Sequence, residues 1–191
     1  MSQKRTRPTI CSLAIAALCL ASLSACGEQE PEYGSKPPDY EQALAGALKP
    51  LADLHAQENR ILGGGADAFE RRIEDLRGYP VVVNKWASWC GPCRYEFPFF
   101  QRLSAKLGKR IAFIGVDTDD TDAAARTFLE SFPVPFPSYS DPDEEIAAEI
   151  KATLGFPSTA IYDSRGELVY TKQGGYADQA ELAADIRRYA Q

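Results

Sequence analysis

Val81-Val82-Val83-Asn84-Lys85-Trp86-Ala87-Ser88-Trp89-Cys90-Gly91-Pro92-Cys93 is the stretch that decides the fold of this chain. Pro80 to Trp86 is a short, valine-rich apolar run of the kind that forms a buried strand. Two cysteines follow, three apart around a Gly-Pro spacer, and there the pattern changes to a helical one. Phe97, Phe100, Leu103 and Leu107 fall on one helical face. Gly108 is placed to stop this helix, and Pro98 is expected to kink it. A cysteine where a strand gives way to a helix meets outward-pointing amides that carry partial positive charge. Such a thiol ionises more readily than a free one. Cys90, at the exposed end, is the expected nucleophile. Cys93, about one turn along the helix, is the expected buried resolving thiol. The two-residue spacer keeps both sulfurs within bonding reach.

Downstream, Ile111 to Val116 reads as a second apolar strand, and Thr121 to Phe132 as a helix with Ala125, Phe128 and Leu129 inward. A proline-rich turn, Pro133 to Pro137, leads to a short extended piece near Ser138-Tyr139. Ile146, Ala147 and Ile150 mark another helix. Ser158 to Tyr162 and Leu168 to Lys172 are strand-like and joined by the turn chemistry of Asp163-Ser164-Arg165-Gly166. Asp178, with Glu181 three residues on, opens a last helix whose inner face is Leu182, Ile186 and Tyr189. The order is βα, βα, a small inserted unit, then ββα. The early part implies parallel strands with crossover helices and the end an antiparallel hairpin. The fold class is therefore α/β, with a central mixed sheet flanked by helices.

Upstream the pattern weakens. Phe69, Ile73 and Leu76 make one helical face that Gly78 ends. Gly63-Gly64-Gly65 has no lysine and no preceding strand in its pattern, so it reads as a hinge and not as a phosphate loop. Leu44, Leu48, Leu51 and Leu54 have helical spacing interrupted by Pro50, which predicts a broken helix. His55, the only histidine, is expected at its surface with no catalytic role. Residues 27 to 41 are polar and proline-bearing and read as a spacer.

The first residues read as an address. Lys4, Arg5 and Arg7 precede an apolar run from Thr9 to about Leu23. That is short of the roughly 20 apolar residues a spanning helix needs, and it fits a secretory signal. The expected division is a signal at 1–25, a linker and broken helical segment at 26–62, and a domain at 63–191. Without residues 1–25 the chain loses three basic residues and no acid, leaving 18 basic against 27 acidic, a formal charge of −9. Such a surface has no electrostatic reason to hold nucleic acid. Cys11 and Cys19 leave with the signal, so Cys90 and Cys93 remain as the working pair beside Cys26.

Other chemistries fit the residues less well. A zinc site needs two more ligands than the pair supplies. A structural disulfide this short restrains the unfolded chain little. A cysteine peptidase needs a histidine base, and His55 has no supporting pattern. Asp117, Asp119, Asp120 and Asp122 lack the glycine and terminal glutamate of an EF-hand loop, and a solvated loop and helix start is the expectation. No metal and no cofactor is implied.

The quoted stretch resembles the active-site strand and turn of the thioredoxin superfamily. Its continuation, Arg94-Tyr95-Glu96-Phe97-Pro98, is similar to the membrane-tethered TlpA/ResA branch. About 60 residues later, Gly155-Phe156-Pro157-Ser158-Thr159 resembles the loop in which thioredoxins hold a cis-proline beside the disulfide. The resemblance covers residues 66 to 191. It implies a thioredoxin fold with an inserted small αβ unit before a cis Pro157. It also implies a docking surface made by Trp89, Gly91, Pro92, Phe156 and Pro157. Leu23-Ser24-Ala25-Cys26 resembles a bacterial lipobox, which implies lipidation of Cys26 and anchoring to a bacterial membrane on its extracytoplasmic side.

One departure is chemical. Thioredoxins carry a buried aspartate where this chain has Asn84. In ResA-like relatives a glutamate just after the motif takes that part, and Glu96 matches its position. The resemblance implies a monomeric thiol–disulfide oxidoreductase that exchanges disulfides with exported proteins. A membrane or exported redox partner restores it. Reduction of protein thiols, for example those of apocytochrome c, is the leading expectation. An oxidant that installs disulfides and a non-catalytic binding module are the alternatives. A peroxidase is disfavoured because Ala87 stands where peroxiredoxins carry threonine.

Overall fold

The computed structural model describes residues 36–191. The expected signal at 1–25 and the lipidation candidate Cys26 lie outside the described residues. Six strands make one sheet: β1 (Ile61–Leu62), β2 (Val81–Trp86), β3 (Ala112–Thr118), β4 (Ser138–Asp141), β5 (Ser158–Tyr162) and β6 (Leu168–Gln173). Their order is β1-β4-β3-β2-β5-β6. The pairs β1/β4, β4/β3 and β3/β2 are parallel, and β2/β5 and β5/β6 are antiparallel. This is the mixed sheet and the order of elements expected, with β4 and a short helix α6 (Glu145–Glu149) as the inserted unit.

The alternation of β2 builds two cores. Val82 and Trp86 point to one face, where they meet α4 (Gly91–Leu107), α5 (Asp122–Ser131) and α7 (Gln179–Tyr189) through Phe97, Phe100, Phe128, Leu182 and Ile186. Val81 and Val83 point to the other. There they meet α2 (Leu51–His55), α3 (Gly65–Asp75) and α6 through Leu51, Leu54, Phe69, Ile73 and Ile146. Every residue of β2 and of β3 is buried, as expected of strands covered on both sides. At Gly115 in β3 the packing leaves no room for a side chain: an added Cβ would lie 2.1 Å from Ser138 Oγ and 2.8 Å from Trp86 Nε1. The indole N–H of Trp86 donates to that hydroxyl at 3.1 Å, across the glycine.

Some expectations need correction, while others, such as the broken helix and a proline inside α4, gain their detail. The segment before Gly63 ends in a strand after all, because Ile61–Leu62 pairs with Ser138–Tyr139 at the sheet edge. Two residues are too few for a periodicity to register in sequence. The broken helix becomes α1 (Tyr40–Leu44) and α2, separated around a cis Lys49–Pro50 bond. Leu44, Leu51 and Leu54 are buried while Leu48 is exposed, and through Leu51 and Leu54 the broken helix packs onto the core. His55 is half-buried, with Nδ1 3.1 Å from Pro135 O and Nε2 2.9 Å from Gly108 O, so it fastens α2 to two loops. α4 runs on through Pro98, which is buried within it. In α7, Tyr189 stacks on Tyr170 of β6 with ring centroids 4.1 Å apart and does not enter the core. Among the described residues no helix is long and apolar enough to cross a membrane.

Candidate active site

β2 ends at Trp86 and the chain turns through Ala87, Ser88 and Trp89 into α4. Cys90 caps that helix in an extended conformation, and its Sγ accepts the Cys93 N–H at 3.0 Å. Sulfur thus occupies the place a cap oxygen usually takes, at the positive end of the helix. Cys90 and Cys93 are joined in a disulfide with Cα atoms 5.3 Å apart. Cys93 is fully buried and Cys90 only 3% exposed. The first cysteine therefore keeps a narrow window in the disulfide form, where sequence alone suggested an open end. Gly91 and Pro92 are exposed beside it.

Pro157 is cis and immediately precedes β5. Because β5 runs antiparallel to β2, its start lies beside the end of β2, with Ser158 opposite Lys85. That register brings the loop and the cysteine pair to one pole of the sheet. Trp89, 56% exposed, meets the Phe156 ring edge-on at 4.8 Å between centroids and donates Nε1–H to Asp119 O at 2.9 Å. Trp89, Gly91 and Pro92 adjoin the cysteines in the chain, and the Trp89–Phe156 contact brings the loop of Pro157 to the same pole.

Glu96 lies one helical turn beyond Cys93 on the same face of α4 and is 1% exposed. Asn84 Nδ2 donates to its Oε1 at 2.9 Å and Tyr176 N–H to its Oε2 at 3.1 Å. Gly175 sits between it and the cis-proline: an added Cβ there would touch Pro157 Cγ at 3.4 Å and Glu96 Oε2 at 3.5 Å. Burial pushes the carboxyl up to about 8, against the opposing pull of the Tyr176 and Asn84 donors and of Lys172. A carboxyl tuned to that range takes up and releases a proton near neutrality.

Two buried charges escaped the sequence reading. Asp117, expected in a solvated loop, is a strand residue of β3 only 1% exposed. Burial first, and then the charges of Asp120 and Asp122, push it up to about 8. Asp120 accepts the Ser88 N–H at 2.6 Å, so this acidic group abuts the turn that carries the cysteines. Lys85 is 1% exposed. Burial lowers its pKa, opposed by the carboxylates of Glu144 and Asp141. A charge inside an apolar run was the visible signal for Lys85. Tyr176 carried none, because it reaches Glu96 through its main-chain N–H. Among the described residues no group of three or more histidine, cysteine or acidic side chains is arranged to hold a metal.

A parallel strand feeding a Cys-x-x-Cys helix, with a cis-proline just before the antiparallel neighbour, defines the redox centre of the thioredoxin superfamily. The chain belongs to the Redoxin family, which matches residues 66–186, and within the superfamily it is TlpA/ResA-like. It is 28% identical over 103 residues to the thiol-disulfide oxidoreductase ResA of Bacillus thuringiensis subsp. konkukian, covering 53% of this chain and 59% of ResA. It is 34% identical over 115 residues to the thiol:disulfide interchange protein DsbE of Pseudomonas fluorescens biotype C, covering 58% and 62%. The chain thus spans about three fifths of the length of these curated relatives. A crystal structure from Chlorobium tepidum, described as a thiol:disulfide interchange protein DsbE, superposes with a TM-score of 0.56 at 30% identity, over 61% of this chain and 83% of that one.

Proposed function

We propose that the protein exchanges disulfides with exported proteins through Cys90 and Cys93, working as a reductant. The observation that supports this above all others is Cys90 Sγ capping α4 in a disulfide with a buried Cys93, one turn before a carboxyl raised to about 8. In the dithiol form the Cys90 thiolate attacks one sulfur of a substrate disulfide. A Cys90–substrate disulfide forms and the other substrate sulfur leaves as a thiolate. Glu96, in its ionised form, accepts the proton of Cys93. Cys93 then attacks the Cys90 sulfur, the intramolecular disulfide forms, and the second substrate sulfur departs. Two electrons pass to the substrate, and a second dithiol protein at the membrane or outside it must return them.

Trp89, Gly91, Pro92, Phe156 and Pro157 make the docking surface, with backbone groups of Phe156 offered to an extended polypeptide. A lipid on Cys26 tethers the domain outside the cytoplasm. The cysteine pair of an apocytochrome c is the kind of substrate this reading favours. The test is trapping in cells with Cys93→Ser. A mixed disulfide with an exported protein, released by dithiothreitol and abolished by adding Cys90→Ser, is the expected result. Absence of any Cys90-dependent adduct rejects the reading. Alkylation of the unaltered protein in cells reads the direction, and a mostly reduced pair is expected of a reductant.

A further inference from the structure

A lysine is an unusual occupant of a strand buried along its whole length. Lys85 shares its face of β2 with Val81 and Val83, and an unpaired ammonium there is strongly unfavourable. What satisfies it is specific. Nζ donates to Ala152 O at 2.8 Å and reaches Gly155 O at 3.5 Å. It lies 4.0 Å from the centroid of the Phe156 ring, within cation–π range. Glu144 Oε2, from the inserted unit, is 3.7 Å away. The carboxylates of Asp141 and Asp119 also act on it from farther away, and its hydrogen-bond and ring partners belong to residues 152–156, the approach to Pro157.

Ala152 is also fixed by burial and by its own N–H to Ala147 O at 2.8 Å, but residues beyond it on the approach have weaker ties. Leu154 is 83% exposed, and Gly155 takes a φ of 135° that a side chain disfavours. Leu154 N–H donates to Gln173 Oε1 and Ser158 Oγ donates to Gly155 O, both at 3.3 Å. The Lys85 bond to Ala152 O is shorter than either, and the ring Lys85 supports is the one that meets Trp89, the neighbour of Cys90.

We propose that Lys85 is a positioning residue that sets specificity: from beneath the loop it holds residues 152–156 and the Phe156 ring in the shape that receives an extended polypeptide disulfide. It governs docking and leaves the sulfur chemistry alone. This rests on the exchange reading above. The same geometry explains why the inserted unit matters to the site, since Glu144 shares the ammonium with the loop.

The test compares two disulfides reduced by the pre-reduced protein in single turnover. One is a synthetic extended peptide closed by a Cys-x-x-Cys disulfide, and the other is the small aromatic disulfide dithionitrobenzoate. Lys85→Met is expected to raise the half-saturating peptide concentration about tenfold, the loss of a charge-assisted buried contact. The maximal rate with peptide and the rate with the small disulfide should stay within about twofold by the same reasoning, since no reacting atom is touched. Glu144→Gln, at an exposed position that tolerates change, should shift half-saturation in the same direction by less, and it carries the test if Lys85→Met does not fold. Equal losses on both disulfides, or unchanged half-saturation in a folded variant, overturn the inference. Reduction of neither disulfide by the unaltered protein overturns the exchange reading itself and the inference with it.

Discussion

Asn84 and Glu96 meet in the core at 2.9 Å, the amide of one donating to the carboxyl of the other. Asparagine offers a donor and takes no proton itself, so the acid–base work at this pole falls to Glu96. Glu96→Gln is therefore expected to slow resolution of the mixed disulfide and to flatten the rise of that rate near pH 8. Stopped-flow single turnovers across pH check this. Identical profiles in parent and variant would remove Glu96 from the mechanism.

The same carboxyl makes stability depend on pH in a stated direction. An unfolded glutamate ionises near its ordinary value of about 4.3, whereas in the fold it does so at about 8. Between those values the native state holds a proton that the unfolded state has lost. Stability therefore falls as pH rises through this window and levels off above it. Glu96→Gln should weaken that fall, measured as urea midpoints from pH 4 to 9. A slope unchanged by the substitution would contradict the assignment.

Asp117 predicts the same sign from a different place. Its carboxyl is also pushed up to about 8, first by burial and then by Asp120 and Asp122. Asp117→Asn should gain stability relative to the parent as pH rises from 4 to 8, with little difference below pH 4. Thermal melts at several pH values decide it, and a variant that loses ground on the alkaline side would show that the charge is needed.

Much of this was legible in the chain. The valine run, the cysteine spacing and the change from apolar run to helical period placed β2, α4 and the disulfide, and the Gly155–Thr159 loop marked the cis-proline. Each of these leaves a local pattern. What escaped depends on partners far along the chain. Ile61–Leu62 is a strand only because Ser138 and Tyr139 lie beside it. Tyr176 completes the Glu96 site through a main-chain N–H any residue supplies. Asp117 read as one of several acids until the sheet buried it alone among them.

Leu51 and Leu54 test how far the fold extends upstream. Both are fully buried against Phe69 and its neighbours. Leu54→Ala should cost roughly 2–5 kcal/mol, the usual range for emptying a packed site. Denaturant unfolding measures it. A loss below about 1 kcal/mol, typical of surface positions, would mean that α2 is only draped over the domain.

Gly115 makes the sharpest packing prediction. A methyl group there would meet Ser138 Oγ and Trp86 Nε1 well inside contact distance. Gly115→Ala should destabilise by about 1–3 kcal/mol or more, as overpacking does, and should disturb the near-ultraviolet signal of Trp86. A variant as stable as the parent would show that β4 can slide away freely.

The antiparallel pairing of β5 with β2 has a practical corollary. Pro157 stands just before β5 and the Asp163–Gly166 turn just past its far end, so that turn is a blind side of the molecule. A dye, biotin or loop graft at Ser164 would leave partner capture untouched, which makes it the natural handle for immobilising the protein with its sulfur pair facing the solution.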